Sequence, residues 1–127
     1  MNEQIKQALQ QDQVIDITTI GRKTGRPRRI EIWFHRLAGR LYITGSPGPR
    51  SWYANLAANP DFTFHLKKSV QADLPARATP ILAKTQRREI LAGILKNIGG
   101  SHDLEAWVAN SPLVEVTLAL EGDKATR

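Results

Sequence analysis

The spacing of apolar positions along the chain switches between a period near 3.6 and a period of two, and each switch marks a boundary between elements. Residues 3–11 place Ile5, Ala8 and Leu9 on one side of a short helix. Val14 to Ile20, "VIDITTI", is rich in β-branched residues and predicts a strand. After the turn residues Gly21 and Gly25-Arg26-Pro27, the positions Ile30, Ile32 and Phe34 alternate with Glu31, Trp33 and His35, which predicts a hairpin with its charges at the bend. "GRLYITG" (39–45) reads as the next antiparallel strand, stopped by Pro47-Gly48-Pro49. Residues 50–60 then return to helical spacing, with Ser51 expected as N-cap and Asn59-Pro60 as the stop.

The second half repeats the exchange. Phe62, Phe64 and Leu66 share one side of a strand, and Val70, Ala72, Leu74, Ala76 and Ala78 share one side of another, opposite Gln71, Asp73, Arg77 and Thr79. Pro75 within that run predicts an edge strand or a bulge. Thr85 is expected to cap a helix carrying Ile90, Leu91, Ile94, Leu95 and Ile98, closed by Gly99-Gly100. A short helical piece at Leu104–Val108 and a last strand, "LVEVTLAL" (113–120), complete the chain. About six short antiparallel strands with helices set between them exclude a doubly wound nucleotide fold, which needs strict β-α alternation. The prediction is a mainly β, α+β architecture: a six-stranded antiparallel barrel, closed or half-closed, with short peripheral helices. Side chains fill the interior of so small a barrel, so a ligand is expected outside it or at a dimer seam.

Composition narrows the chemistry. At 127 residues the chain fits one domain spanning residues 1–127, with no repeat, linker or composition break. No apolar run approaches the roughly 20 residues that cross a bilayer, and "MNEQIKQALQQDQ" does not read as a signal peptide, so the expectation is a cytoplasmic protein without a transmembrane segment. The absence of cysteine removes disulfides, thiolate nucleophiles and zinc-thiolate sites. Net charge is +6, and the excess is local: Arg22 to Arg50 holds eight basic residues against Glu31 alone, whereas from Asp61 onward nine bases meet eight acids. A clustered positive field favours a phosphorylated cofactor, a nucleic acid or an anionic membrane face.

The stretch "TTIGRKTGRPRR" (18–29) has the parts of a phosphate loop in an order no Walker loop uses, since Arg22 rather than glycine precedes Lys23-Thr24. Glycines at 21 and 25 let the backbone approach an anion and aim N–H groups at it, Lys23 and Arg28 add charge, and Thr24 adds a hydroxyl donor. "TGSPGP" (44–49) has small residues suited to lying along a flat polar ring, and Trp52, Tyr53 and Trp33 can line an aromatic cofactor's edge. His35, His65 and His102 show no i, i+4 pairing for a metal. There is no nucleophile elbow, and Asp103 and Glu105 suit a helix N-terminus better than a catalytic pair. No side chain announces catalysis, so an enzyme built on this chain needs a cofactor for its chemistry.

"DITTIGRKTGRPRRIEIWF" followed by "GRLYITGSPGPRSWYANLAANPDFTFHL" resembles the deazaflavin-dependent nitroreductase family of split β-barrel proteins, over residues 15–66 and more loosely to the last strand. The resemblance implies a barrel related to flavin-binding pyridoxamine-oxidase-like proteins, often a homodimer, using the deazaflavin coenzyme F420 as hydride carrier, with flavin mononucleotide (FMN) as second choice. It implies that Lys23, Thr24, Gly25 and Arg28 hold the coenzyme's phosphate and acidic tail. Thr44, Gly45 and Ser46 would lie along the ring, with Trp52, Tyr53 and Asn55 bracing that loop. The acceptor would be a small apolar or aromatic quinone, nitro compound or activated alkene. Two other readings stay open: a non-catalytic pocket for a fatty acid, with Arg28 on the carboxylate and Trp33, Trp52 and Ile43 around the chain, and nucleic-acid binding. The last has no helix-turn-helix or ribonucleoprotein signature and few stacking aromatics behind it.

Overall fold

A computed structural model describes residues 2–119. Its elements run α1 (Glu3–Gln11), β1 (Val14–Ile20), β2 (Pro27–Trp33), β3 (His35–Leu37), β4 (Arg40–Thr44), α2 (Ser51–Ala58), β5 (Asp61–Leu66), β6 (Ala72–Pro80), α3 (Lys84–Ile98), α4 (Leu104–Asn110) and β7 (Leu113–Leu118). The strands form one antiparallel sheet in the order β2-β1-β5-β6-β7-β4-β3.

That order dictates the shape. β2 and β3 lie at opposite edges of the sheet, yet only Phe34 separates them in the chain. A flat sheet of this many strands would hold its edges roughly 29 Å apart at about 4.8 Å per strand, so the sheet must roll until the edges meet. Phe34 secures the junction: its amide donates to Gln13 O at 2.9 Å, and its ring, 1% exposed, packs edge-to-face on Phe64 with centroids 5.2 Å apart. Alternation read through Phe34 as one strand and so predicted six strands; there are seven among the described residues. The additional hairpin, β3–β4, turns through Ala38 (φ 52°) and Gly39 (φ 76°). Two successive positive φ angles make a type I′ turn, for which asparagine is the usual signal and alanine gives none.

Inside the barrel, Ile15 and Ile17 of β1, Phe64 and Leu66 of β5, Ile43 of β4 and Val114 of β7 are buried together, capped by Trp52 and Leu56 from α2 and Ala8 and Leu9 from α1. Burying each large aliphatic side chain contributes about 1.5–3 kcal/mol. Outside it, α3 presents Ile90, Leu91 and Ile94 to Tyr42, Leu113 and Val108, a second and smaller core.

Three local expectations are corrected. Pro75 lies on an interior strand in continuous register, paired with Thr63, rather than at an edge or bulge. Its carbonyl accepts from Ala119 N–H just beyond the end of β7, so the nitrogen that lacks a donor also faces the end of the β7 ladder, and the bonds to β5 are untouched. Ser51 is the first helical residue of α2; Arg50 holds the N-cap position and makes no side-chain cap bond. Thr85 likewise lies inside α3, behind an Ala83 N-cap. Gly99 (φ 82°) closes α3 and Asp103 caps α4, as read. Leu120, assigned to the last strand, lies outside the described residues.

Candidate functional site

The β1–β2 hairpin runs in unbroken register from Val14↔Trp33 to Ile20↔Pro27, which places residues 21–26 as a loop at its end. The loop is closed by its own backbone: Gly21 N–H donates to Arg26 O, and Gly25 N–H to Gly21 O, both at 2.8 Å. Gly25 sits at φ 69°, and a Cβ on Gly21 would stand 2.5 Å from Thr24 Oγ1, so neither position accepts a side chain without adjustment. Arg26 N–H donates to Thr24 Oγ1 at 3.2 Å, leaving the hydroxyl proton free to donate outward. Gly21 and Gly25 let the loop backbone turn without themselves presenting amides outward. Their N–H groups are spent inside the loop, and the amides with no bond to a described residue are those of Lys23 and Thr24.

A residue from another element locks this loop. Asn55, 7% exposed on α2, accepts from Arg22 N–H at 3.0 Å through Oδ1 and donates from Nδ2 to Thr19 Oγ1 at 3.2 Å. Asn55 thus braces the 21–26 loop and not, as expected, the 44–49 loop. Between α2 and the hairpin lies a cleft of about 340 Å³, lined on one side by Arg22, Lys23, Thr24 and Arg28 and on the other by Ser51 and Trp52, with Ile30 and Thr19 at its floor. Trp52 is 7% exposed, so little of its ring is open to the cleft. The two-residue period explains the floor: Ile17↔Ile30 and Thr19↔Arg28 pair on the same face of the hairpin. That period was available in the sequence and would have singled out Thr19 and Ile30. Arg22 was likewise inside the quoted motif.

The cleft's charge is uncompensated. Arg29, on the opposite face of β2, is bonded to Asp16 at 2.9 Å, and Lys67 bridges Asp16 and Glu31. Hydrogen bonds from Lys67 and Arg29 hold the Asp16 carboxyl below its ordinary value. Arg22, Lys23 and Arg28, in contrast, make no salt bridge to a described carboxylate. The first turn of α2, without a side-chain cap, borders the same cleft through Ser51 and Trp52 and brings the positive end of its dipole near it. Three free cations, two free loop amides and an uncapped helix start converge on one space.

The remaining predicted residues are placed elsewhere. Thr44 is buried, its hydroxyl donating to Pro112 O at 2.5 Å, so only its backbone is left for a ligand. Gly45 and Ser46 begin a loop that Arg50 folds back upon, donating to Ser46 O and Pro49 O at 3.0 Å each. Tyr53 packs edge-to-face on Trp52 with centroids 6.1 Å apart but lines a different cavity. Trp33 is 51% exposed on the face of β2 opposite Arg28, and Ile43 is fully buried, so the structure does not gather Arg28, Trp33, Trp52 and Ile43 around one fatty-acid chain. His65 bonds Thr18 and Asp73, each at 2.7 Å, on the sheet's outer face; the bond from His65 holds the Asp73 carboxyl below its ordinary value. Neither Thr18 nor His65 lines a described cavity, and the trio ties three strands together. No group of three metal-ligating residues gathers among the described residues, and no helix there is long and apolar enough to cross a membrane.

Solved structures share this architecture. A pyridoxamine 5′-phosphate oxidase-like protein of Listeria innocua is similar at 16% identity and a TM-score of 0.68, covering 93% of each chain. A structure described as an F420 reductase matches at 18% identity and a TM-score of 0.63, covering 91% of this chain and 93% of its own. A third, solved as a domain-swapped dimer, matches at 18% identity and a TM-score of 0.57, with 91% and 95% covered. At such identities the likeness gives the fold, an α+β split barrel. The family follows from the sequence itself: a model of the F420H2-dependent quinone reductase family matches residues 1–117, and the chain belongs to that family. It is an F420-dependent oxidoreductase by that membership.

Proposed function

We propose that the chain is a reductase that takes a hydride from reduced coenzyme F420 and delivers it to a quinone-type acceptor, nitro compounds and activated alkenes being further candidates. One observation carries the reading: the cleft beside α2 is lined by Arg22, Lys23 and Arg28 without a carboxylate among them. A phosphate with an acidic tail suits that donor set, and an apolar wall of Trp52 and Ile30 beside it suits an extended coenzyme rather than a bare anion. FMN, with one phosphate and no acidic tail, uses fewer of these cations and stays the second choice.

In this reading Lys23 and Arg28 bind the phosphate as charges, while Thr24 and the amides of Lys23 and Thr24 orient its oxygens. Gly25 allows the turn that points those amides outward. Asn55 fixes the loop against α2, and Trp52 walls the cleft. Thr44, Gly45 and Ser46 would meet the ring through backbone alone, since the Thr44 side chain is committed to Pro112 and Arg50 covers Ser46 O. When bound, the deazaflavin supplies the hydride; the chain's residues position it and exclude water. The domain-swapped neighbour supports a homodimer, which light scattering on the purified protein would check.

Fluorescence titration with F420 tests the assignment. Arg28→Ala is expected to weaken binding by about 1.5–3 kcal/mol, the worth of hydrogen bonds to a charged group, with an unchanged melting temperature. Unaltered affinity would remove Arg28 from the site.

A further inference from the structure

The first turn of α2 divides two cavities, Trp52 facing the basic cleft and Tyr53 facing the other. The second cavity, about 570 Å³, opens between the 44–49 loop, the segment after β6 and the end of α4. Two of its lining groups stand out. Arg87 is 8% exposed, and its guanidinium donates to the carbonyls of Val108 (2.8 Å), Ile81 (2.9 Å), Trp107 (3.3 Å) and Ser111 (2.6 Å). Four of its five N–H groups are used, and it pairs with no described carboxylate. Carbonyls satisfy the direction of those bonds but supply only partial charge, so a buried cation is left without a counter-ion. Ser111, 4% exposed, has a buried Oγ that meets no hydrogen-bond partner among the described residues. Holding the last carbonyls of α4 explains why Arg87 is buried. It explains neither the idle Ser111 hydroxyl nor Leu82, an apolar side chain 77% exposed at the cavity's rim.

We propose that this cavity is a second binding site, for a compact apolar ligand bearing a carboxylate. One carboxylate oxygen takes the remaining Arg87 N–H, the Ser111 hydroxyl donates to the group, and Leu82, Tyr53 and Pro112 enclose the apolar body. The Arg87 guanidinium and the backbone that carries the Ser111 hydroxyl are held together before the ligand arrives, because the Ser111 carbonyl accepts from Arg87.

Benzoate and its neutral isostere benzamide are the probes, titrated into the protein without any redox cofactor and followed by calorimetry and amide chemical shifts. Benzoate is expected to move the resonances of Leu82, Ala109 and Ser111 and to bind about tenfold more tightly than benzamide. Ser111→Ala is expected to weaken benzoate by about tenfold while the spectrum elsewhere stays that of the folded protein. Leu82→Asp, at an exposed position, is expected to weaken it as well by placing a like charge at the mouth. Equal affinity for the two probes, shifts confined to Lys23–Arg28, an indifferent Ser111→Ala variant, or no binding at millimolar benzoate would each overturn the site. Because F420 is absent from every arm, failure here leaves the hydride-transfer reading untouched.

Discussion

The loops at residues 21–26 and 44–49 begin from similar material and end in opposite states. Each follows a strand, each contains two glycines, and each has a cation at hand. In the first, the backbone satisfies itself and Asn55 holds it from outside, so Arg22, Lys23 and Arg28 remain free around a cleft. In the second, Arg50 is spent on the loop's own carbonyls, while Thr44 Oγ1 and Gly48 N–H tie the loop to Pro112 O and Asn110 O. A cation becomes a ligand-binding group only when something else has already satisfied the backbone around it. The first loop is built to hold a charge from outside, and the second to hold its own shape.

Removing the external brace breaks the comparison most severely. Asn55→Leu takes the partner from the buried Thr19 hydroxyl and from the part-buried Arg22 amide, and is expected to lower stability by about 2–3 kcal/mol in denaturant titration and to weaken F420 binding with it. Full affinity in a destabilised variant would show that the loop needs no brace. Arg50→Ala should cost about 1 kcal/mol, read as faster hydrogen exchange at the Gly48 amide, and should leave the salt dependence of F420 binding unchanged. If instead it flattened that dependence as Arg28→Ala would, Arg50 would belong with the free cations and the contrast would fail.

Two smaller tests sharpen it from the uncharged side. The Ala38-Gly39 turn carries no ligand group, so Ala38→Gly is expected to stabilise the fold by about 0.5–1 kcal/mol through relief of its positive φ, at unchanged coenzyme affinity. A loss of stability would mean that the turn is not strained. The weakest effect is that of pH on His35, half-buried on β3. Burial first, and the Arg36 charge second, push its pKa below the ordinary 6.5. A depressed histidine favours the neutral form in the fold, so its contribution is fully present above 6.5 and is lost as pH falls through the lower folded value. His35→Gln is expected to flatten the melting temperature between pH 7 and 5; an unchanged slope would assign the acid sensitivity to other groups.

Most of the elements were legible because their cause is local. β-branched runs, period-two alternation and the Gly99 stop marked β1, β5, β6 and α3 within a residue or two, and the glycine-lysine-arginine motif marked the loop that lines the cleft. The misses share a different cause. β3 was hidden because Phe34 keeps the alternation going while the chain changes partner from β1 to β4, and no single strand's pattern records its neighbour. Pro75 read as an edge because a missing donor matters only in relation to where the next strand ends. Asn55 was credited to the wrong loop for the same reason: its partners, Arg22 and Thr19, lie more than thirty positions away. Arg87 gave no sign at all, since four carbonyls, one just after β6 and three at the end of α4, converge on it only after folding. By itself the sequence determined the strands and helices, the local concentration of charge and the family, all of which depend on neighbouring residues. Only the tertiary structure decided which cations are free and which are spent, because that depends on which carboxylates and carbonyls the rolled sheet brings within about 3 Å.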